Sequence, residues 1–589
     1  MALGRRWVLA LALLVAGCGR GGDDKPAPPA PPLHERNAAT VYRDACANCH
    51  DGPHAVEPTR ENLKRLQPET VIRAMNGIMA VQARDLTPEQ RTQVARYITG
   101  RMLGDPPAPS PLMCAEWQNR MDMFHPPGAA SRLTPDLLPR LAVKWAFAFP
   151  GASRAGNPAV AGGAVFVAGE DGVVQAIDEA GGCVRWRFQA DAEVRGTVVV
   201  GPWMPGDLAA APAVFFGDDA GSAYRVDAAT GQLVWKARAD SHGNAMIAGT
   251  PVLHEGRLYV PVASTEWVAA ADPDHECCTF RGGVTALDAA TGKLVWQSWA
   301  IAAEPRLTGD TNAAGTPTWQ PAGAPVWAGP AVDAKRKRLY MATGAAYTSP
   351  APSGSDPVIA VDLLTGRKVW RYQATTGDAW TMSCRMADKT NCPVPHGSGA
   401  DFTAPPLLVA LPGGRDLLLA RQKTGDIHAL DPQTGKLAWR RTLSQGAMGW
   451  TPAPDGSVLY VADATGLHAL DAATGNQLWA APGRLSAPPV LVPGAVLTGS
   501  HDGMLRARDP LTGMELWSFD TTAEVAAVDG AKAHGGAIDA APVAVDGRIF
   551  VASGSHRRGL PGNVLLMLEP SWARPAQGTA PPPDEAPSP

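Results

Sequence analysis

Near the amino terminus the chain reads CANCH at residues 46–50, a set of side chains that can hold a porphyrin. Two thiols three positions apart can add to both vinyl groups of a haem, and the histidine that follows the second thiol then faces the iron. A thiol–disulfide redox pair would need a thioredoxin-like context, and a zinc site would need two further ligands nearby. We therefore predict one covalent haem c, attached through Cys46 and Cys49 with His50 on the iron, and single-electron chemistry.

The second iron ligand is expected in the segment VIRAMNGIMA, where Met79 and Met75 are the candidates. We predict Met79, because it follows a Gly-x pair that lets the backbone lie close to the haem and because it precedes the last helix of the domain. That helix is marked by Thr87 as N-cap and by Gln90 three residues later, a capping box. Residues 34–103 are predicted to form a small all-α cytochrome c domain.

The rest of the chain repeats one unit. In seven segments an apolar strand ends at Asp, a turn that ends in Gly reverses the chain, and a second strand carries a Trp; an eighth Trp lies one repeat length earlier. The eight are Trp145, Trp186, Trp235, Trp296, Trp370, Trp439, Trp479 and Trp517. A unit of roughly four strands cannot bury both faces alone, so the units stack radially. We predict an all-β, eight-bladed β-propeller over residues 112–572, closed by the Trp145 strand.

Composition and the chain ends predict an exported protein. A net charge of −4 without a Lys/Arg-rich block gives no reason to expect nucleic acid as a partner. Residues 1–18 resemble a bacterial lipoprotein signal peptide, which predicts acylation of Cys18; a plain signal peptide is the alternative. A Pro-rich tether (19–33), a linker (104–111) and a disordered tail (573–589) complete the domain map. We expect a periplasmic protein held on the inner or outer membrane by its N-terminal lipid alone.

A haem-attachment domain followed by an eight-bladed propeller with docking tryptophans resembles the quinohaemoprotein alcohol dehydrogenases, which depend on pyrroloquinoline quinone (PQQ). Within them the chain is most similar to the polyvinyl-alcohol dehydrogenase group. The resemblance covers most of residues 38–572 and is closest in LYVPVASTEWVAAADPDHECCTFRGGVTALDAATGKLVW. It implies PQQ as second cofactor, a flat tricarboxylated quinone that needs a stacking surface, cations and a polar group at its reactive carbonyl.

Three residues match PQQ-binding positions of this family. Trp327 in PVWAGPAVD matches the tryptophan on which the quinone lies, and Arg195 in EVRGTVVVG matches the arginine that pairs with a cofactor carboxylate. Lys423 in LARQKTGDIHALD matches the cation that hydrogen-bonds the quinone oxygens. The alternatives are an ordinary core tryptophan and two solvated cations, but Trp327 stands outside the series of eight, which favours the functional interpretation.

Six cysteines remain outside the haem motif and the lipid site, and six allow fifteen pairings. We predict three disulfides, which are Cys277–Cys278, Cys384–Cys392 and Cys114–Cys183. The first joins neighbours, an arrangement that usually marks a functional site. In quinone dehydrogenases such a pair sits over the cofactor, so the resemblance implies that the first pair contacts PQQ, although it lies in a different blade from the family's pair.

The metal site of the family is matched only in part. The resemblance implies a Ca²⁺ ion held by a Glu, an Asn and an Asp that also serves as base, since hard cations need oxygen ligands. Glu266 in ASTEW matches the Glu, but Ala345 stands at the Asn position and Thr381 at the Asp position. Asp378, three residues before Thr381, is predicted as the base. A substitute ligand set, metal-free PQQ chemistry and a propeller that oxidises nothing all stay open.

These residues predict a periplasmic quinohaemoprotein dehydrogenase that oxidises an alcohol, small or polymeric, such as polyvinyl alcohol. Asp378 or another base would take the hydroxyl proton, hydride would pass to PQQ, and electrons would leave singly through the haem to a periplasmic cytochrome or another acceptor. One alternative is a non-enzymatic propeller lipoprotein scaffold of the outer-membrane assembly type, which has no use for a haem. The other is a haem-propeller electron carrier or sensor with a degenerate metal site, which Ala345 and Thr381 favour.

Overall fold

The structure is a computed structural model that describes residues 37–51, 60–64, 68–76, 79, 82–104, 113–114, 131–149, 156–202, 212–446, 449–554 and 560–571. The predicted signal peptide with Cys18, the tether, nearly all of the linker and the tail lie outside the described residues, and they stay predictions. Among the helices that are described, none is long and apolar enough to cross a bilayer.

The described part of the amino-terminal domain is helical. Its elements are α1 (Ala38–Val41), a π-helical turn (Tyr42–Cys46), α2 (Ala47–His50), α3 (Arg60–Leu63), α4 (Pro68–Asn76) and α5 (Pro88–Thr99). The expected capping box opens α5, because the Gln90 N–H donates to Thr87 Oγ1 (3.3 Å) and the Thr87 N–H donates to Gln90 Oε1 (3.1 Å). Three of the helices pack against one another in a shared core, α1 through Val41, α4 through Val71 and α5 through Val94. The prediction of a small all-α domain is confirmed.

Eight antiparallel sheets follow, numbered here as blades 1 to 8 in chain order of their inner strands. Blades 1 to 4 consist of Ala159–Ala161, Ala164–Ala168, Val173–Asp178 and Val184–Gln189; Val199–Val200, Ala213–Gly217, Ser222–Asp227 and Leu233–Arg238; Ala245–Met246, Val252–His254, Arg257–Ser264, Gly283–Asp288 and Leu294–Trp299; and Ala331–Asp333, Arg338–Ala342, Pro357–Asp362 and Lys368–Gln373. Blades 5 to 8 consist of Leu407–Ala410, Asp416–Arg421, Asp426–Leu430 and Leu437–Thr442; Gly449–Pro452, Val458–Asp463, Gly466–Asp471 and Gln477–Pro482; Val490–Val492, Ala495–Gly499, Met504–Arg508 and Glu515–Asp520; and Val543–Val545, Arg548–Ser553, Val564–Pro570 and Leu141–Ala148.

A few short elements lie outside the blades. They are α6 (Glu266–Ala269), the 3₁₀ turns Leu138–Arg140 and Met382–Arg385, and two ribbons, Arg306–Thr311 with Pro317–Gln320 and Glu524–Ala526 with Lys532–His534.

The first strand of the propeller closes the ring. Leu141–Ala148 pairs antiparallel with Val564–Pro570, the last strand of the chain, and sets Trp145 opposite Met567. Blade 8 therefore takes its outer strand from the start of the propeller and its three inner strands from the end, as predicted. This joint leaves no open sheet edge between the two ends. The eight-bladed fold class is confirmed.

Seven of the eight blades dock on the turn of the next blade through a tryptophan. In blade 5, Asp431 fixes the turn by accepting the N–H (2.8 Å) and the hydroxyl (3.0 Å) of Thr434. Gly435 then takes a φ of 73°, and a Cβ there would lie 2.6 Å from the ring of Trp370 in the preceding blade. The Trp370 indole N–H donates to the carbonyl of Pro432 in the same turn (3.1 Å). Six other tryptophans of the series donate equivalent bonds.

Two sets of connections emerge on one side of the propeller. Strands in a blade run in alternating directions, so the link from second to third strand and the link from the fourth strand to the next blade leave on the same side. We call this side the site face. Its connections carry Arg195, Glu266, Trp327, Asp378 and Lys423. The Asp-to-Gly turns of the repeat lie on the opposite face.

The haem domain contacts the site face. Arg84 forms an ion pair with Asp272, in the second-to-third strand link of blade 3, with 2.9 Å between Nη1 and Oδ1. Arg73 donates to the main-chain oxygen of Asp171 in the corresponding link of blade 1 (3.5 Å). Arg73 and Arg84 flank Met79 in the sequence. The part of the haem domain that carries the predicted iron ligand is therefore the part that lies on the site face.

The three predicted disulfides are formed, and that prediction is confirmed. They are Cys114–Cys183, Cys277–Cys278 and Cys384–Cys392. The first spans 69 residues and ties the segment before the propeller to blade 1. The second joins neighbours across a cis peptide bond. The third closes a loop within the connection from blade 4 to blade 5.

Candidate active site

A cavity of about 200 Å³ opens at the centre of the ring of blades. Six of the connections that lead into a blade's first strand contribute to its wall, through Gly156, Gly196, Gly249, Gly329, Thr403 and Asp539. These connections crowd one another, so that a Cβ on Gly249 would lie 2.6 Å from the carbonyl carbon of Ala328. Small residues are therefore required around the axis, and Arg195 and Trp327 stand out as the large side chains of the wall.

Arg195 is held in the cavity wall by two carboxylates. Its Nη2 lies 2.7 Å from Asp219 Oδ2 and 3.2 Å from Glu193 Oε2. Burial by itself lowers the pKa of Arg195, but the Glu193 and Asp219 carboxylates outweigh it and raise the pKa above its ordinary value. The guanidinium is thus a fixed, oriented cation that can pair with an anionic group of a ligand.

Trp327 and Lys423 meet on a third residue, Asp401, which the sequence analysis did not identify. Lys423 Nζ lies 2.5 Å from Asp401 Oδ2. The Trp327 indole N–H donates to Asp401 Oδ1 (3.3 Å), and the backbone N–H of Ala345 donates to the same oxygen (2.9 Å). Because Trp327 also lines the cavity with Arg195, the structure brings the three residues matched to PQQ-binding positions into one site.

A signal for Asp401 is present in the sequence. It stands in the connection that leads into the first strand of blade 5, as Arg195 and Trp327 stand in the connections that lead into blades 2 and 4. The resemblance placed the family's Asp at Thr381 instead, in the same connection, which also holds the Cys384–Cys392 loop. The Thr381 hydroxyl is buried and donates to a main-chain carbonyl of that loop (3.0 Å).

Glu266 is buried at the start of α6. Its carboxylate accepts the backbone N–H groups of Thr279 and Phe280, each at 2.9 Å, and Nε2 of His242 and of His275 each lie 3.6 Å from its Oε1. Burial alone would raise the pKa of Glu266, but the two nearby histidines and the backbone N–H groups outweigh it and lower the pKa to about 2. Glu266 is therefore an anion whose acceptor positions are already occupied.

These residues do not fit a Ca²⁺ site. The ion takes about six to eight oxygen ligands. Ala345 has no side-chain oxygen, Thr381 donates its hydroxyl within the disulfide loop, and both oxygens of Glu266 accept backbone N–H groups. The positive charge beside Asp401 is that of Lys423. The donor set therefore does not support the metal that the resemblance implied.

Asp378, the predicted base, is engaged with the backbone. Its Oδ1 accepts the N–H of Gly399 (2.9 Å) and its Oδ2 accepts the N–H of Ala400. Its side chain is buried and is not part of the cavity wall. The role of Asp378 as base stays a prediction, and the geometry favours Asp401 over it.

The Cys277–Cys278 disulfide lies beside the site rather than in the cavity wall. Both residues are buried in a core cluster with Phe280 and Tyr347, whose rings stack with centroids 6.3 Å apart. Their predicted contact with PQQ stays a prediction.

In the haem domain the motif residues follow one another along two short helical turns. Cys46 ends the π-helical turn, and His50 ends α2 and is buried. Met75 is buried in the domain core, whereas Met79 is half-buried in the turn after α4. Thiol, imidazole and thioether are the donors that a c-type haem uses, so these residues fit that cofactor. The side chain of Cys49 lies outside the part of the chain that is described.

Two family models match the chain. The model described as "Cytochrome C oxidase, cbb3-type, subunit III" matches residues 34–98, which contain the haem motif. The model described as "Outer membrane protein assembly factor BamB" matches residues 141–338, 280–387 and 354–582, which contain the blades.

Solved structures share the propeller fold. The quinohemoprotein alcohol dehydrogenase of Comamonas testosteroni is 18% identical, with a TM-score of 0.55 over 77% of this chain and 81% of that chain. The quinohemoprotein alcohol dehydrogenase ADHIIG of Pseudomonas putida HK5 is 18% identical, with a TM-score of 0.57 over 77% and 80%.

Two relatives match from end to end. The polyvinylalcohol dehydrogenase of Pseudomonas sp. is 32% identical over 631 residues, which cover 95% of this chain and 96% of the relative. The polyvinylalcohol dehydrogenase of Sphingopyxis sp. (strain 113P3) is 33% identical over 614 residues, which cover 91% and 93%. The predicted cofactors, haem c and PQQ, are confirmed by these matches and by the cytochrome model. The chain therefore belongs to the polyvinylalcohol dehydrogenase family, within the PQQ- and haem-dependent alcohol dehydrogenases.

Proposed function

We propose that this protein oxidises the hydroxyl groups of an alcohol and passes the electrons one at a time to its own haem. The proposal rests on Arg195 and Trp327, which line one cavity, and on the Lys423–Asp401 pair, which contacts Trp327 beside it, on the face that the haem domain contacts. When bound, PQQ supplies a quinone that accepts hydride and releases electrons. The chain supplies binding, orientation and proton transfer.

Three side chains would hold the cofactor. Arg195, already oriented by Glu193 and Asp219, would pair with a carboxylate of the quinone. Trp327 offers an aromatic face for stacking at the cavity wall. Lys423 would donate hydrogen bonds to quinone oxygens while its contact with Asp401 fixes its position.

We propose Asp401 as the general base, in place of Asp378. Its carboxylate accepts from three donors, on Lys423, Trp327 and Ala345, which hold it beside the residues proposed to bind the cofactor. Asp401 would take the hydroxyl proton of the substrate, and PQQ, when bound, would supply the hydride acceptor. Asp378 is buried with 2% of its surface exposed, whereas the side chain of Asp401 is 14% exposed and contacts Trp327 of the cavity wall, so Asp401 is the more accessible carboxylate.

We propose a polymeric or oligomeric alcohol as the substrate. The full-length relatives are named polyvinylalcohol dehydrogenases, which supports this class. Trp267 lies beside both Trp327 and Trp380, with ring centroids 6.3 Å and 5.8 Å apart, and all three rings are partly exposed. Aromatic faces next to the site suit the apolar stretches between hydroxyl groups of such a chain.

The proposed location is the periplasm, with a lipid anchor at Cys18. A polymer too large to cross the inner membrane must be oxidised outside the cytoplasm, and three disulfides suit an oxidising compartment. The haem would pass its electrons to a periplasmic cytochrome or another acceptor.

The test is haem reduction in the purified, haem-loaded protein. PQQ is added with or without Ca²⁺, vinyl-alcohol oligomers or small alcohols follow, and haem absorbance is recorded. We expect reduction that requires both PQQ and an alcohol, is fastest with the oligomers and does not require Ca²⁺. Absence of PQQ binding would favour the scaffold. Binding without haem reduction by any alcohol would favour an electron carrier or sensor, which the loss of metal ligands at Ala345 and Thr381 supports.

A further inference from the structure

Two buried carboxyl groups lie against one another beside the proposed base. Asp356 has a relative exposure of 0% and Asp378 of 2%. They come from two site-face connections of blade 4, one before the strand Pro357–Asp362 and one after the strand Lys368–Gln373. The side chains of the two residues are within hydrogen-bond reach of each other.

Asp356 has no donor to stabilise a negative charge. Among the described residues, neither of its oxygens accepts an N–H or O–H group, so the carboxyl of Asp378 is its polar neighbour. The charged groups that act on it are the carboxylates of Asp378 and Asp401 and the ammonium of Lys423. Burial, followed by the two carboxylates, raises the pKa of Asp356 from its ordinary 3.8 to about 10. At neutral pH Asp356 therefore carries a proton that it can donate to Asp378.

Asp378 in turn holds the backbone that leads into Asp401. Its two oxygens accept the N–H groups of Gly399 and Ala400, and Ala400 is the residue directly before Asp401. A Cβ on Gly397 would lie 1.9 Å from Asp378 Oδ1, so the segment passes close over this carboxylate. The position of Asp401 against Lys423 and Trp327 thus depends on the two acceptor oxygens of Asp378.

We propose that Asp356 and Asp378 form a carboxyl pair that shares one proton and positions Asp401, and that loss of this proton at alkaline pH switches oxidation off. The inference rests on the proposed function, because the role of Asp401 belongs to it. Asp356 and Asp378 are positioning residues, which act through the peptide groups of residues 399–400. With the proton present, Asp356 donates to Asp378. Without it, two buried anions repel each other and the segment before Asp401 moves; a displacement of about 1 Å can lower a rate about 100-fold.

The test uses the full-length protein loaded with haem and PQQ, in three variants. Asp356→Asn keeps a donor towards Asp378 but has no proton to lose, and Asn tolerates the φ of 55° at this position. In Asp378→Asn, the side-chain NH₂ group would face the backbone N–H of Gly399 or of Ala400 and could not accept a hydrogen bond from it. Asp333→Asn is the matched control, because Asp333 is also buried but lies in the first-to-second strand turn of blade 4, on the opposite face.

In the pH profile, wild-type kcat is expected to fall to one half near pH 10, the pKa of Asp356. Asp356→Asn should lose this alkaline decline, whereas Asp333→Asn should keep it. Asp378→Asn should lower kcat at pH 8 about 10- to 100-fold at unchanged PQQ affinity. An alkaline decline that persists in Asp356→Asn would assign it to Lys423 or to another group and overturn the proposal.

A second measurement needs no turnover. In the infrared spectrum at pH 8, the carbonyl band of a protonated carboxylic acid should be present in the wild type and in Asp333→Asn and absent in Asp356→Asn. A band of equal strength in Asp356→Asn would overturn the shared proton even if one variant is inactive. The two proposals fail separately, because PQQ-dependent haem reduction by the wild type tests the function, whereas the band and the pH profile test the pair.

Discussion

At the scale of single residues, the site is organised around Asp401. Its three donors come from three different connections, with Trp327 before blade 4, Ala345 within blade 4 and Lys423 within blade 5. The carboxylate of Asp401 therefore contacts the Trp327 indole, the Lys423 ammonium and the backbone N–H of Ala345. Ala345 is the position at which the resemblance implied a metal ligand. In the proposed function, Asp401 would accept the proton and also fix Trp327 and Lys423, the two side chains proposed to bind the cofactor.

Replacement of Asp401 by Asn is expected to lower kcat about 10²- to 10⁴-fold, the usual contribution of a positioned general base. The amide oxygen can still accept from the Trp327 indole and the Ala345 N–H, so PQQ affinity should change much less than kcat. Steady-state haem reduction and PQQ titration measure the two effects. Asp416→Asn is the control, because Asp416 pairs with Arg336 on the opposite face. Unchanged kcat in Asp401→Asn would return the role of base to Asp378.

Replacement of Trp327 by Ala should weaken PQQ binding by about 1–3 kcal/mol, or about 5- to 150-fold in Kd, since a stacked flat ring contributes about that much. Trp327→Phe retains an aromatic face but loses the N–H that donates to Asp401. Its Kd for PQQ should therefore lie between that of the wild type and that of Trp327→Ala. Isothermal titration of the haem-loaded protein gives both constants. An affinity for PQQ that does not change in Trp327→Ala would show that the stacking surface lies elsewhere.

At the scale of elements, the Asp-to-Gly turn couples each blade to the one before it. The turn glycine serves two purposes, since it adopts a left-handed conformation and leaves room for a tryptophan ring. Gly435 and Gly256 separate these purposes: their φ values are 73° and 72°, but a Cβ would lie 2.6 Å from the Trp370 ring at Gly435 and would meet nothing within 4 Å at Gly256.

Gly256→Ala is therefore expected to lower the free energy of unfolding by about 1 kcal/mol, the strain of a left-handed alanine. Gly435→Ala should lower it by about 1–3 kcal/mol more, because the added methyl must displace the Trp370 ring. Urea unfolding of the propeller, followed by tryptophan fluorescence, compares the two variants. Equal losses would mean that the packing of tryptophan on glycine does not limit how the blades dock.

At the scale of the whole molecule, the proposed cofactor site and the contacts with the haem domain lie on the same face of the propeller. The cavity, Lys423 and Asp401 lie in connections of that face, and the haem domain contacts it through Arg73 and Arg84. The Arg84–Asp272 pair is partly exposed, with 47% and 28% of the side chains accessible. An exposed pair contributes about 0.2–1 kcal/mol and weakens with salt, so it orients the haem domain without locking it.

Arg84→Glu is expected to slow the reduction of haem by the loaded propeller about two- to tenfold at low ionic strength, because attraction to Asp272 becomes repulsion. The double variant Arg84→Glu with Asp272→Arg should recover the rate, since the pair is restored with its charges exchanged. Stopped-flow haem absorbance after addition of alcohol measures the step.

Two comparisons make this result specific. Arg43→Glu carries the same charge change in the haem domain, at a residue paired with Asp44 instead of a propeller group, and it should reduce haem at the wild-type rate. Alcohol oxidation with a small artificial electron acceptor should be equal in all variants. A rate of haem reduction that does not respond to Arg84→Glu at low salt would mean that this ion pair does not set the docking of the domains.

The sequence alone determined the haem attachment, the number of blades and the closure of the ring. Each is encoded locally: the haem motif occupies five successive residues, each blade carries its own tryptophan, and seven of the eight blades carry their own Asp-to-Gly turn. The strand of Trp145 is remote in the sequence from the other strands of blade 8. It could still be assigned to that blade, because Trp145 is the one tryptophan of the series that lies outside the seven full segments.

Only the tertiary structure decided which side chains meet at the axis. Asp401, Asp356 and the Arg84–Asp272 contact arise where connections of different blades and domains converge, and partners such as Trp327 and Asp401 are far apart in the sequence. The path of a long connection depends on the packing of all blades around it, whereas residue spacing reports only on neighbours along the chain. For that reason the resemblance led to Thr381 and to Asp378 near it, whereas the folded ring of blades brings Asp401 to Trp327 and Lys423.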